Sequence, residues 1–193
     1  MRLEITAILT ASVVAGLPSA SFENGQPPGG SPPKGGNAPG IVVQVDTNST
    51  PQRVVIDVLE STRRTFLVTE KTEIRKANVE TNQVTVIRLD KVFPGDLVEL
   101  IVEVGGGSPW PPGTFVNMIE VRAREIRGSL ATVRASEILL TNGRKFALVE
   151  NARFFLGEQP VSPDKLQPGI GVVLRQNPTT GYVTGVEVTS VSR

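Results

Sequence analysis

The chain has no cysteine and no histidine, and only one tryptophan and one tyrosine among 193 residues. Without cysteine there are no disulfides, thiol nucleophiles or thiolate metal sites. Without histidine there is no imidazole base, no His-based triad and no histidine-ligated haem or zinc. Catalysis would have to rest on carboxylates, lysines, hydroxyls and the single Tyr182. Twenty Lys and Arg stand against nineteen Asp and Glu, so the net charge of +1 gives no field to steer nucleic acid or an acidic membrane. Long amphipathic helical patterns are missing. What remains is ordinary globular material, 39% hydrophobic and 20% charged, with 19 glycines and 15 prolines that point to turns and linkers. The length allows one or two small domains.

Ile5 to Leu17 is an uncharged run of 13 residues. A membrane-spanning helix needs about 20 apolar residues, so the run suits the hydrophobic segment of a secretory signal better than an anchor. Small residues follow at Ser19-Ala20-Ser21, which places a signal peptide over 1–21. Alternation of Leu3, Ile5, Ala7 and Leu9 with their neighbours leaves a buried first strand as the other reading. No Cys follows the run, which excludes a bacterial lipoprotein anchor. Of the 18 residues from Phe22 to Pro39, 10 are Pro or Gly. Such a stretch cannot bury enough apolar surface to offset its ordering entropy, so 22–39 is expected to be a disordered tether. The chain is therefore expected to be secreted, periplasmic or in the cell envelope, with no transmembrane segment in the mature form.

The remainder repeats itself. Phe66-Leu-Val-Thr-Glu70 resembles Phe146-Ala-Leu-Val-Glu150, Asp90-Lys-Val-Phe-Pro-Gly95 matches Asp164-Lys-Leu-Gln-Pro-Gly169, and Phe115-Val-Asn-Met-Ile-Glu-Val121 matches Tyr182-Val-Thr-Gly-Val-Glu-Val188. The offsets fall from 80 to 74 to 67, so the first copy carries about six extra residues in one loop and seven in another. Each copy reads as strands. Val98, Leu100, Val102 and Val104 share one face while Glu99 and Glu103 take the other, the period of a half-buried strand. Asn142-Gly143 predicts a hairpin with a type I′ turn. Ser162-Pro163-Asp164 reads as an N-cap and a short helical turn stopped at Pro168-Gly169. Three strands, a short helical element and two more strands are the order of a Greek-key barrel of the OB type, with an SH3-like barrel as the competitor. The expected architecture is all-β: two tandem five-stranded OB-like barrels, 40–123 and 124–193, after the tether. Phe115 to Val133 contains almost no turn residue apart from Gly128, so one copy's last strand runs nearly directly into the next copy.

On these segments the chain resembles a family of bacterial extracytoplasmic domains of unknown function with tandem small OB-like barrel repeats. The resemblance rests on Gly40-Ile-Val-Val-Gln-Val45, Phe66-Leu-Val-Thr-Glu-Lys-Thr72 and Val92-Phe-Pro-Gly-Asp-Leu-Val98 and covers about 80% of the chain, from Gly40 onward. The second copy departs from it, with Ile170 in place of the Asp after Pro-Gly and Ala152 at the Thr position. The family supplies no catalytic residues; it implies an exported, non-enzymatic module.

Candidate sites are few. Glu120 and Glu187 occupy matching places, but strand alternation turns both toward solvent rather than into an acid–base cleft. Asp46-Thr-Asn48 has a fragment of metal-ligand spacing without the glycine and distal glutamate of a calcium loop. Gly105-Gly106-Gly107 is followed by no Lys-Ser/Thr and is no phosphate loop. No metal or cofactor is expected. Phe66/Phe146 and Phe115/Tyr182 recur at matched positions, which assigns all four to core packing. The binding candidates are Trp110, in an insertion the second copy lacks, and Arg122 and Arg124 on the following strand, with packing of the Trp110 ring onto an apolar patch or the neighbouring barrel as the other reading. Too few aromatics remain for stacking on single-stranded nucleic acid, which is disfavoured as a partner. The expected role is a non-enzymatic binding or spacer domain that contacts an envelope or extracellular protein or polysaccharide. An OB-type binder of oligosaccharide, ahead of single-stranded nucleic acid, is the alternative. Mass spectrometry of native protein is expected to find residues 1–21 removed; a chain that still starts at Met1 or Arg2 would sink the export reading.

Overall fold

The computed structural model describes residues 36–58, 62–102 and 113–190. The expected signal peptide, the tether up to residue 35, the triglycine and Trp110 lie outside the described residues. The described chain is all-β, a 12-stranded mixed sheet with two 3-10 turns and no α-helix. No helix among the described residues is long and apolar enough to cross a membrane.

In the first half, β1 (Asn37–Asp46), β2 (Gln52–Val58) and β3 (Thr62–Val68) form an antiparallel meander, followed by β4 (Glu73–Asn78) and β5 (Val84–Val86). A 3-10 turn at Leu89–Lys91 leads to β6 (Leu97–Val102), which pairs antiparallel with β1, and to β7 (Thr114–Val133). β3 and β4 both run parallel to β7, and β6 runs antiparallel to it. In the second half the end of β7 pairs with β8 (Glu137–Leu140) and β11 (Gly171–Gln176). β8 pairs with β9 (Lys145–Leu156), β9 runs parallel to β12 (Val183–Ser190), and β12 pairs with β11. The two-residue β10 (Gln159–Pro160) and a second 3-10 turn at Pro163–Lys165 precede β11. The second half's pairings thus repeat those of the first. The six-residue surplus lies in the β4–β5 hairpin, where ten residues separate the paired Arg75 and Val86 while four separate the equivalent Phe155 and Pro160. The first half also breaks at Thr69–Thr72 into β3 and β4 where the second runs through as β9. Thr72 holds that break, its hydroxyl accepting from the Thr69 amide and donating to the Val116 carbonyl.

β7 is one 20-residue strand that passes through position 123 without a turn. Its buried residues are Thr114 and Val116, then, past a register shift against β6, Ile119, Val121 and Ala123, and finally Ile126 and Leu130. Inward parity therefore switches between Ala123 and Ile126, so opposite faces of a single strand cover two cores. The first core gathers Ala38, Val42, Ile56, Phe66, Leu100 and Ile119. The second gathers Leu130, Ile138, Leu140, Phe154, Leu174 and Val186.

Several local expectations need correction. β1 begins at Asn37 and buries Ala38 completely, so the last residues assigned to the tether are strand. Pro39 is tolerated there because pairing with β2, which would need its amide, starts only at Gly40. The hairpin at Asn142-Gly143 forms, but Gly143 alone in it has positive φ (+83°). Its amide donates to Leu140 and the Leu140 amide to Arg144, the pattern of a three-residue loop rather than a type I′ turn. Ser162 does not cap the 3-10 turn through its side chain; its hydroxyl donates to the Asp164 carboxylate instead. Phe66 and Phe146 are buried as expected, whereas Phe115 and Tyr182 are 45% and 47% exposed. Their neighbours Val116 and Val183 take the inward positions, and alternation turns the rings out.

Phe146 is 8% exposed in the second core, and Phe146→Ala is expected to cost about 3–5 kcal/mol in urea denaturation. A variant as stable as the parent would refute its placement in that core.

Candidate binding site at the seam of the two halves

The loop Phe93-Pro94-Gly95-Asp96, between the first 3-10 turn and β6, carries the contact between the halves. Its backbone is fixed from below by β1: the Gly95 amide donates to the Val42 carbonyl and the Val42 amide to that of Asp96. Asp96 is 2% exposed and its carboxylate accepts three hydrogen bonds. These come from the Phe93 amide at 2.7 Å, the Thr184 hydroxyl at 2.7 Å and Arg175 Nη2 at 2.6 Å. Arg175 Nη1 donates to the Lys91 carbonyl at 2.6 Å, and Asn177 Nδ2 to the Gly95 carbonyl at 2.7 Å. Burial pushes the Asp96 carboxyl above its ordinary range and the Arg175 guanidinium below its own; each opposes the other's shift by charge. Leu174 enters the second core, so alternation turns Arg175 to the opposite face of β11, where the loop from Lys91 to Asp96 of the first half buries it.

Aromatic contacts complete the seam. The Arg175 guanidinium lies 4.7 Å from the Phe93 ring centre. Phe93 stacks on Phe155 with centroids 5.3 Å apart, and Lys91 Nζ sits 4.1 Å from the Phe155 ring centre. Phe93 fits against Gly185, where an added Cβ would come within 2.7 Å of its ring. Only glycine leaves that notch open.

Beside this contact lies a cavity of about 530 Å³ with walls from both halves. The first half contributes Lys76, Val86, Ile87, Arg88 and Lys91, and the second Phe155, Glu158, Val173 and Glu187, with Glu125 of the shared β7. Its charges are unequally committed. Lys76 is bound to Glu125, and Arg175 to Asp96. Lys91 stands 3.7 Å from Glu158, whose side chain is 81% exposed, and Arg88 stands 3.5 Å from Asp90. Glu187 is exposed and has no ion pair or side-chain hydrogen bond among the described residues.

The residues expected from sequence lie elsewhere. Arg122 and Arg124 are on β7 but do not line the cavity. Arg122 pairs with Glu99 and Glu120, Arg124 with Glu80, and Glu120 also takes Arg75 at 2.7 Å. Glu120 is therefore not a solvated carboxylate: its side chain is 13% exposed within this ladder of charges. The Asp46 carboxylate accepts the amides of Asn48 and Ser49, which hold it below its ordinary range. Sequence reasoning missed the seam residues, yet a signal exists. With offsets of 74 and 67, Phe93, Asp96, Ile101, Asn117 and Met118 correspond to Gln167, Ile170, Arg175, Thr184 and Gly185. The copies disagree where they touch.

No protein-family model matches the chain, and no curated protein aligns with it.

Asp96→Ala leaves a buried guanidinium without its counter-charge and is expected to cost about 3–5 kcal/mol in chemical denaturation. The double variant Asp96→Leu/Arg175→Met removes both charges and should cost distinctly less. Equal losses in the two would show that the ion pair is not what holds the seam.

Proposed function

We propose that the chain is a non-enzymatic, exported binding module built of two OB-type barrels, with a ligand held at their seam. The barrel reading is supported by the circuit of pairings, β1–β2–β3–β7–β6 and back to β1, which recurs as β7–β8–β9–β12–β11 and back to β7. In chain order each circuit has a 3-10 turn between its third and fourth strands, just before β6 in the first and β11 in the second. Export is supported by the uncharged 13-residue run and the Pro/Gly stretch after it, and by the resemblance to extracytoplasmic repeats. The cavity is the observation that carries binding. Its volume of about 530 Å³ falls in the range of small-molecule sites, and it combines apolar walls with a few loosely held charges.

A second reading, an OB-type binder of oligosaccharide, is favoured by Phe115 and Tyr182, which present rings at equivalent exposed positions of the two halves. Nucleic acid is a poorer fit, because Arg122 and Arg124 are already engaged by carboxylates.

A thermal-shift screen of metabolite-sized molecules against the parent and against Val173→Trp, whose indole would occupy the cavity, tests the reading. A molecule that raises the Tm of the parent and not of the variant is expected. Hits that act equally on both would remove the cavity from the function, and a tagged protein found in the cytosol would remove export.

A further inference from the structure

The charges left unspent around the cavity are of both signs, and they flank one ring. Glu187 is in register with Phe155 across the β9–β12 ladder, so the two side chains stand next to each other on one face. Lys91 Nζ lies over the same ring at 4.1 Å. Glu187 and Lys91 do not meet within 4.0 Å, although nothing else among the described residues satisfies Glu187. Arg88, 80% exposed, adds a second weakly held cation on the Lys91 side, at the residue just before the 3-10 turn. Between these poles the wall is apolar: Val86, which is 75% exposed, with Val173 and Phe155.

A ligand carrying only a negative group would leave Glu187 facing it unpaired, and one carrying only a positive group would meet Lys91 and Arg88. Either arrangement desolvates a charge without a partner, which is costly. A ligand with both charges close together satisfies both poles. We infer that the cavity takes a small zwitterion with an apolar tail, the chemistry of a free apolar α-amino acid. The ammonium goes to Glu187, the carboxylate to Lys91 and Arg88, and the tail packs on Phe155, Val173 and Val86. The inference rests on the seam being the binding site, and names what it selects.

Isothermal titration of the full chain with leucine, N-acetyl-leucine and leucinamide tests the class, since the two derivatives each keep one charge. Leucine is expected to bind at least about tenfold more tightly than either, a single charge-assisted contact being worth that much. Glu187→Gln, an exposed substitution, should abolish the preference over N-acetyl-leucine, and Arg88→Gln with Lys91→Met the preference over leucinamide. A derivative that binds as tightly as leucine, and loses binding in Val173→Trp, would overturn the zwitterion while leaving the cavity as the site. No heat from any of the three, in a protein whose cavity still accepts hits from the thermal-shift screen, would overturn the ligand class alone. Binding that is indifferent to Val173→Trp would overturn both.

Discussion

Everything at the seam depends on a carboxylate and a guanidinium taken out of water together. Burying the two charges costs several kcal/mol each, and their attraction offsets this only if the remaining lone pairs and protons are also satisfied. Asp96 meets that demand with three donors, and these donors constrain the rest. The Phe93 amide must lie three residues back in a tight loop, which the positive φ of Gly95 (+87°) allows. Thr184 must face inward beside Arg175, which the register shifts in the β11–β12 ladder provide. The position of the loop is set in turn by its two hydrogen bonds to β1. A polar contact of three residues thereby fixes where the second half sits on the first.

The two halves share one pattern of strand pairings, and the joint lies where their sequences differ. The loop that offers Phe93 and Asp96 in the first half offers Gln167 and Ile170 in the second, and Ile170 turns into its own core. The surface that offers Arg175, Thr184 and Gly185 in the second half carries Ile101, Asn117 and Met118 in the first. A head-to-tail contact between identical units would propagate into an open array unless its rotation closed. Here the donor loop and the acceptor surface each occur once. The contact is used up within the chain.

What could be read from the sequence was whatever depends on local period and turn chemistry. Alternation in Val98–Val102 places β6, the sparse turn residues of Phe115–Val133 announce an unbroken β7, and Asn142-Gly143 announces a hairpin. The turn type was not legible, because Asn-Gly suits both a type I′ turn and a three-residue loop, and the flanking register decides. Phe115 and Tyr182 misled because size and recurrence suggest a core, while the pleat gives the inward place to the valine after each. Arg122 and Arg124 looked available because Glu99 and Glu80, which neutralise them, are brought alongside only by the fold. The departure of Ile170 from Asp96 was visible, but its meaning required knowing that Asp96 faces Arg175, 79 residues away.

The cavity follows from how the seam is made. An apolar interface gains by excluding every gap, since each void forfeits dispersion contacts. A joint built on a few directional polar contacts has no such drive beyond their reach, and the halves part where the Phe93–Asp96 loop ends. The walls are then outward-facing residues, which core packing does not constrain, so equivalent positions can take different roles. Glu120 and Glu187 make the point. They hold matching places in the two patterns of pairings, yet Glu120 is enclosed by Arg75 and Arg122 while Glu187 faces the cavity with no ion pair among the described residues. The first half has a strand edge, β4, that delivers an arginine to this carboxylate. The parallel neighbour in the second half, β9, delivers Phe155 instead. A carboxylate enclosed by arginines in the first half is thus left exposed in the second, beside an aromatic ring, with no ion pair among the described residues.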